Sequence, residues 1–195
     1  MHRTCESRWF LSPEDPAVAH LEAFFTGVAA DRDGEIDAYL ATSQEVVGIK
    51  VRGRGRPDAK LEIKLRQGAL GPIALRDGVT AMVELWSKAL ATPGSDLQGE
   101  TLVDVHKVRR VRRWALCGET PEERTPAAGE VASHVELTRV RREGRTSVTF
   151  GIETHGHDAD LVGAHLAVLR LVLDQTGEVE LGARDAIGYP AWLLL

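Results

Sequence analysis

Charged residues at strand spacing are the most informative feature of this sequence, and they are densest between residues 48 and 66. That segment, GIKVRGRGRPDAKLEIKLR, carries seven Lys or Arg residues against two acids, although the whole chain has a formal net charge of −5. Apolar residues alternate with charged ones, as in Ile49, Lys50, Val51 and Arg52. Such alternation predicts two strands, each with one apolar and one charged face. The charged face either meets water or lines a site for a polyanion.

Charged residues recur at the same alternating positions along most of the chain. If alternation holds, one face collects Glu6 and Arg8, Lys50 and Arg52, Glu62 and Lys64, Glu84 and Lys88, Lys107 and Arg109, then Glu136 and Glu153. On a single strand, a solvated face with ion pairs is the commoner explanation. Repetition over so many strands favours an interior that holds a phosphate chain beside a divalent metal. Mg²⁺ is typically bound by one or two carboxylates plus phosphates, and basic side chains neutralise the other oxygens.

Eight strand-like and two helical segments could position these residues. The strands are expected at residues 3–11, 35–42, 45–53, 59–67, 79–90, 100–116, 130–142 and 145–154. Breaks between them include residues 31–34 and 68–78. Strands at this density are typical of a closed or nearly closed antiparallel barrel, whose interior can hold side chains or one small ligand. The predicted fold is therefore mainly β (α+β), an eight-stranded antiparallel tunnel with two main flanking helices.

The two helices are expected within residues 12–29 and 158–174. Ser12 is a candidate N-cap for the first helix, and Pro13 suits its first position. The second helix is apolar nearly all round and should be buried, so His165 is expected to be a hydrogen-bonded core residue. Residues 180–195 are irregular and apolar, which predicts packing against the body of the protein.

Composition limits the class of protein. The 195 residues predict one domain spanning 1–195. A pI near 5.8 argues against a general nucleic-acid or membrane binder. Cys5 and Cys117 form no disulfide framework and no metal-binding spacing, which favours a reducing cytoplasm. The N-terminus lacks the apolar core of a signal peptide and no apolar run approaches a membrane span. The composition is also compatible with a homodimer.

The order of these motifs resembles the CYTH superfamily, the triphosphate tunnel metalloenzymes, which include thiamine triphosphatases, inorganic triphosphatases and a class of adenylyl cyclases. The similarity runs from ESRWFL through YLATSQEVVGIKVRG, LEIKLR, VHKVRR and TFGIE to GYPAWLL, nearly the whole chain. The family's first strand carries E-x-E-x-K, and here Glu6 stands at the second acidic position, Arg8 at the lysine and Thr4 at the first glutamate. The family's closing E-x-E is matched by Glu153 alone, because Gly151 stands at the earlier position.

The resemblance implies roles for individual residues. The implied phosphate ligands are Arg8, Lys50, Arg52, Lys64, Lys107 and Arg109. Glu6, Glu136 and Glu153 are implied ligands of Mg²⁺ or Mn²⁺, with Glu6 and Glu153 catalytic, and Thr138 stands where an aspartate is common. The implied activity is metal-dependent hydrolysis of a triphosphate-containing small molecule or short polyphosphate. The cations match the family's motifs better than the carboxylates do. A non-catalytic phosphate-ligand binder of the same fold is therefore the alternative.

Two other motifs allow different functions. RGRP, at residues 54–57, matches the core of an AT-hook, which would make the protein DNA-associated through minor-groove arginines. Asp58 follows directly, and the motif falls where a hairpin turn is expected. THGHDAD, at residues 154–160, could hold a metal, but a turn into a helix with acids in its first turn explains it more simply.

Overall fold

The computed structural model describes residues 2–92, 102–117, 120–156 and 160–195. The strands are β1 (His2–Leu11), β2 (Ala30–Leu40), β3 (Val47–Arg52), β4 (Lys60–Arg76), β5 (Val79–Ala91), β6 (Leu102–Cys117), β7 (Thr120–Glu123), β8 (Ala132–Arg142) and β9 (Arg145–His155). The helices are α1 (Pro16–Phe24), α2 (Leu161–Gln175) and the single turn α3 (Tyr189–Trp192). Within these residues, no helix is long and apolar enough to cross a membrane.

Eight strands form a closed antiparallel barrel, as predicted. The hydrogen-bonded order is β2-β3-β4-β5-β1-β9-β8-β6, and pairing of β6 with β2 closes the ring. The short β7 lies outside the ring and pairs with the end of β6. Because side chains alternate along each strand, one set lines the barrel interior, the lumen, and the other lies on its outer wall.

The main hydrophobic core lies between the outer wall and the helices α1 and α2. In β1, Trp9 points to this core and stacks on Phe150 at a centroid distance of 5.9 Å. Val168 and Leu169 of α2 are fully buried against the same wall. The alternation thus separates an apolar outer layer, which stabilises the fold, from a charged interior.

A buried chain of hydrogen bonds fixes α2 to the barrel through His165, as expected for a core histidine. Ser7 Oγ donates to the carbonyl of Met82 at 2.8 Å and so accepts from His165 Nε2, which lies 2.9 Å away. His165 Nδ1 then accepts from Thr154 Oγ1 at 3.0 Å, and Thr154 accepts from Ser133 at 2.8 Å. This order of donors requires the neutral imidazole with its proton on Nε2.

Helix α1 begins later than the sequence pattern predicted. Asp15, and not Ser12, is the N-cap, and its side chain accepts from Ala17 N at 2.9 Å. Pro16 takes the first helical position instead of Pro13. If the helix began at Pro13, Pro16 would lie inside it without an N–H donor, which is unfavourable.

The β4–β5 hairpin also differs from expectation. The predicted break at residues 68–78 belongs mostly to β4, which continues to Arg76 through register shifts that absorb its irregular residues. The predicted turn at residues 31–34 is a register shift within β2, because this strand pairs with β6 on both sides of it.

Residues 182–195 cross one mouth of the barrel. The N–H of Phe10 donates to the carbonyl of Asp185 at 2.9 Å, and the Phe10 ring stacks on Trp192 at 4.9 Å. Tyr189 stacks on the lumen residue Tyr39 at 5.6 Å. This C-terminal segment packs against the barrel as predicted and forms an apolar cap on one end of the lumen.

Candidate functional site: the barrel lumen

All nine residues assigned to phosphate or metal by the resemblance line one cavity in the lumen. The cations are Arg8, Lys50, Arg52, Lys64, Lys107 and Arg109, and the carboxylates are Glu6, Glu136 and Glu153. The cavity measures about 510 Å³, part of it open to solvent. Barrel closure explains this convergence, because alternate residues of each strand must point inwards. The roles of these residues stay predictions.

Arg8 extends across β9 because its opposite residue, Gly151, has no side chain. The two are register partners in β1 and β9. A Cβ at residue 151 would lie 2.6 Å from the guanidinium carbon of Arg8. The guanidinium donates to Thr149 Oγ1 and to Glu136 Oε2, both at 3.0 Å. Gly151, which departs from the family pattern, thus makes room for a lumen cation.

Glu136 binds two arginines, one with each oxygen. Oε2 accepts from Arg8, and Oε1 accepts from Arg109 at 3.0 Å. Arg109 also donates to Asp31 at 2.8 Å. Burial raises the pKa of Glu136, but Arg8 and Arg109 outweigh it and lower the pKa to about 2. The carboxylate is ionised at neutral pH and positions both guanidiniums.

Glu6 and Glu153, the predicted catalytic pair, lie directly opposite each other in β1 and β9. Lys64 bridges them, because its Nζ donates to Glu6 Oε1 at 2.5 Å and to Glu153 Oε2 at 3.5 Å. Thr4 Oγ1 donates to the same Glu6 oxygen at 2.8 Å, and Lys88 Nζ lies 3.4 Å from Glu153 Oε1. Thr4, the other departure from the family pattern, therefore supplies a neutral donor to this pair.

The two opposed carboxylates have different pKa values. Burial raises the pKa of Glu6, and the charge of Glu153 raises it further, against the lowering effect of Lys64. Burial also raises the pKa of Glu153, but Lys64, Lys88 and Arg8 together hold it well below its usual range. Glu153 is therefore the more strongly ionised member of the pair.

Two acids of β2 belong to the lumen although the predicted set omitted them. Asp37 Oδ2 accepts from Lys50 at 3.0 Å and from Lys107 at 2.8 Å. Glu35 Oε1 lies 3.5 Å from Arg52 Nε. Burial raises the pKa of Asp37, but Lys50 and Lys107 hold it well below its usual range. The alternation in EIDAYL could have predicted both acids as lumen residues, because they share one strand face with its tyrosine.

The C-terminal segment gives the lumen an aromatic wall that no strand pattern indicated. Lys107 Nζ donates to Tyr39 Oη at 2.7 Å and lies 4.1 Å from the centre of the Tyr189 ring. The adjoining part of the lumen is lined by Trp86 and Pro190. This wall depends on a contact between segments distant in sequence.

Three buried polar atoms of lumen residues have no hydrogen-bond partner among the described residues. They are Thr138 Oγ1, Glu62 Oε2 and Arg109 Nε. Glu62 Oε2 lies 3.2 Å from Lys88 Nζ, an ion pair without hydrogen-bond geometry. Since buried polar groups are normally hydrogen-bonded, these atoms suit a cavity that binds a polar ligand.

The cavity that these residues line is close to electrically neutral. Its seven cations are Arg8, Lys50, Arg52, Lys64, Lys88, Lys107 and Arg109, and its six carboxylates are Glu6, Glu35, Asp37, Glu62, Glu136 and Glu153. Each cation has a carboxylate oxygen within 3.5 Å. The carboxylates are thus more numerous than the sequence pattern indicated.

Other predicted motifs lie outside this cavity. In RGRP, Arg54 is paired with Asp104 at 2.7 Å and Arg56 with Asp58 at 3.3 Å, all exposed. Residues 157–159 of THGHDAD lie outside the described residues. In the described ranges, no three His, Cys, Asp or Glu side chains are close enough to form a preassembled metal centre.

Comparison with known proteins identifies the fold. No family model and no curated protein matches the sequence. Among solved structures, the Pct1 RNA triphosphatase of Schizosaccharomyces pombe, solved in complex with the Spt5 CTD, is similar with a TM-score of 0.52 and 10% identity over 89% of this chain and 82% of that one. The PH1819 protein of Pyrococcus horikoshii is similar with a TM-score of 0.52 and 15% identity over 98% of both chains.

A chain of the S. pombe Mediator head module has a TM-score of 0.51 and 9% identity, over 92% of this chain and 97% of that one. The chain therefore has a fold found in an RNA triphosphatase and also in a protein of a quite different assembly. At these identities the likeness concerns the fold, so function must be argued from the lumen.

Proposed function

We propose that the lumen binds a triphosphate-containing small molecule or a short polyphosphate together with Mg²⁺ or Mn²⁺ and hydrolyses it. The observation that carries this proposal is the convergence of seven cations and the opposed carboxylates Glu6 and Glu153 on one cavity. The Thr138 hydroxyl in the same cavity, which has no hydrogen-bond partner in the described part of the chain, offers one more polar group to a ligand.

Charge balance supports a metal in this proposal. The six lumen carboxylates nearly cancel the seven cations, so a bare triphosphate would bring uncompensated negative charge into a partly buried site. A divalent ion would restore the balance and polarise a phosphoryl oxygen. The donor set fits, because Glu6 and Glu153 offer carboxylate oxygens from directly opposite positions. Mg²⁺ commonly uses one or two carboxylates and completes its shell with phosphates and water.

The chain's own residues have distinct tasks. Arg8 and Arg109 bind phosphate oxygens with planar guanidiniums that Glu136 holds in place. Lys50 of β3 and Lys107 of β6 do so as well, held by Asp37 of the intervening strand β2. Because these cations are already held in position, they need to reorganise less as charge develops during phosphoryl transfer.

Phosphate release tests this function. Tripolyphosphate, ATP and thiamine triphosphate are incubated with the protein, with and without Mg²⁺ or Mn²⁺. Release is expected with metal and a sharp loss in Glu6→Gln and Glu153→Gln. Arg52→Ala should weaken binding, whereas Arg54→Ala, outside the cavity, is the matched control. The absence of release from all three compounds contradicts hydrolysis.

The second candidate is a non-catalytic binder, favoured by the Lys64 ammonium, which already pairs with Glu6 and Glu153. Tripolyphosphate that raises the melting temperature without any turnover would support it, because a ligand of the native state stabilises by mass action. In such a binder, Glu6→Gln and Glu153→Gln should tighten metal-free binding, since each removes a negative charge facing the polyanion.

A further inference from the structure

The position of Lys64 bears on how metal and phosphate share the lumen. Its ammonium lies between two carboxylates, 2.5 Å from Glu6 Oε1 and 3.5 Å from Glu153 Oε2. The three side chains are 14–18% exposed, so water screens them little. Two carboxylates directly opposite across paired strands repel each other. Lys88 lies near Glu153 alone, whereas Lys64 is the cation that contacts both carboxylates.

We infer that Lys64 is the internal counter-ion of the Glu6–Glu153 pair, and that a divalent metal ion displaces it when metal and triphosphate bind together. This inference rests on the proposed function for the identity of the anion. An ammonium ion and a metal ion that use the same carboxylate oxygens exclude each other. Metal binding therefore requires the Lys64 ammonium to leave.

The displaced ammonium has few acceptors other than a bound anion. Glu136 is engaged by Arg8 and Arg109, and Asp37 by Lys50 and Lys107. Glu62, next on the same face of β4, already lies 3.4 Å from Lys50 and 3.2 Å from Lys88. Among the described residues, Glu62 Oε2 has no hydrogen bond, but Glu62 already faces two cations, so a bound phosphate supplies the uncompensated charge for the displaced ammonium.

The exchange makes metal and triphosphate binding cooperative. Metal alone must separate Lys64 from its carboxylates without compensation, and triphosphate alone competes with those carboxylates for the ammonium. When both are present, Glu6 and Glu153 would hold the metal ion and the Lys64 ammonium would donate to a phosphate oxygen. Because such coupling is reciprocal, each ligand raises the affinity for the other by the same factor. The flexible four-carbon stem of lysine allows the shift without movement of β4.

The test is a Mn²⁺ titration of the full chain without phosphate, followed by electron paramagnetic resonance of the free ion. Lys64→Met removes the ammonium and is expected to raise Mn²⁺ affinity about tenfold, a typical size for coupled sites. Lys50→Met removes a lumen charge that does not touch Glu6 or Glu153, and its effect should be several-fold smaller. Lys64→Arg keeps the charge and should keep the weak wild-type affinity.

Unchanged or lower Mn²⁺ affinity in Lys64→Met, or an equal gain in Lys50→Met or Lys64→Arg, would overturn the inference. If Lys64→Met does not fold, Lys64→Gln replaces it in the same comparison. These titrations contain no phosphate, so they test the role of Lys64 even if the wild-type protein binds no triphosphate. Failure to bind triphosphate would refute the proposed function but not the role of Lys64. Melting temperatures with tripolyphosphate, Mn²⁺ or both test the coupling, which Lys64→Met should abolish.

Discussion

At residue scale, Gly151 shows how an absent side chain can shape a site. The space where its Cβ would lie holds the Arg8 guanidinium, which reaches Glu136 and Thr149 through it. A larger residue here would have to displace a buried cation from two hydrogen bonds. Gly151 is thus necessary for the observed position of Arg8.

Replacing Gly151 should therefore weaken binding. In Gly151→Ala, the methyl group displaces the flexible end of Arg8, so tripolyphosphate affinity should fall about tenfold, the equivalent of one lost charged hydrogen bond. Isothermal titration calorimetry measures this change. Gly68→Ala is the matched control, because a Cβ there meets no atom within 4 Å. Equal affinities in the two variants would contradict the role assigned to Gly151.

Glu136 offers a second test at this scale. Glu136→Gln removes a carboxylate whose pKa is lowered to about 2 by Arg8 and Arg109 and which holds both guanidiniums in place. Loss of one partner from a buried ion pair commonly costs about 3–5 kcal/mol, and urea unfolding at pH 7 measures it. A depressed carboxylate pKa stabilises the fold above about pH 4.5 and loses this effect as pH falls towards 2. The deficit of the variant should therefore shrink in acid.

At the scale of elements, α2 depends on a neutral His165. Burial lowers the pKa of His165 to about 3. Protonation therefore favours the unfolded chain, so this stabilisation is complete above about pH 6.5 and is lost as pH falls towards 3. Between these two pH values, each such group changes the free energy of unfolding by about 1.4 kcal/mol per pH unit. Urea unfolding between pH 7 and 5 should show a shallower slope for His165→Gln, and an unchanged slope would contradict this prediction.

The C-terminal segment should contribute to both stability and the lumen. Trp192 is 9% exposed, stacks on Phe10 and lies under Arg142. Trp192→Ala should lower the free energy of unfolding by about 3 kcal/mol and reduce tripolyphosphate affinity through the loosened Tyr189. Leu195→Ala, at a residue 79% exposed, is the control and should change stability by less than about 0.5 kcal/mol. Chemical denaturation with ligand titration separates the two effects.

Sequence patterns predicted the strands well for a physical reason. Most barrel strands carry charged residues on the inner face and apolar residues on the outer face, so their periodicity is clear, as in β1 and in residues 60–66 of β4. Periodicity could not predict which side chain pairs with each charged residue. Asp37 binds Lys107 from a strand far along the chain, and Tyr189 enters the lumen from an irregular segment. Both contacts depend on barrel closure and register.

At the scale of the whole molecule, the cavity and the rest of the chain differ in the sign of their net charge. The chain carries −5 overall, whereas the cavity has one more cation than carboxylates. The rest of the chain is accordingly acidic, which disfavours contact with long polyanions. A small anion can enter the lumen, but a DNA duplex meets the acidic exterior.

This distribution predicts discrimination between anions. Labelled A·T-rich duplex DNA should show no change in fluorescence anisotropy at physiological salt, while tripolyphosphate with Mn²⁺ should raise the melting temperature. A·T-selective binding that disappears in Arg56→Ala would instead support the AT-hook hypothesis.

Closure of the ring also has a kinetic consequence. Thr4 lies opposite His155 in the β1–β9 pair, so residues from the two ends of the barrel sequence must meet before the ring is complete. Loop-closure entropy opposes such distant pairings until many contacts form together. Proteins dominated by them fold in milliseconds to seconds, whereas local helical bundles can fold in microseconds. Refolding of this chain is therefore expected to take milliseconds to seconds. The charged residues of the lumen should come together only at a late step.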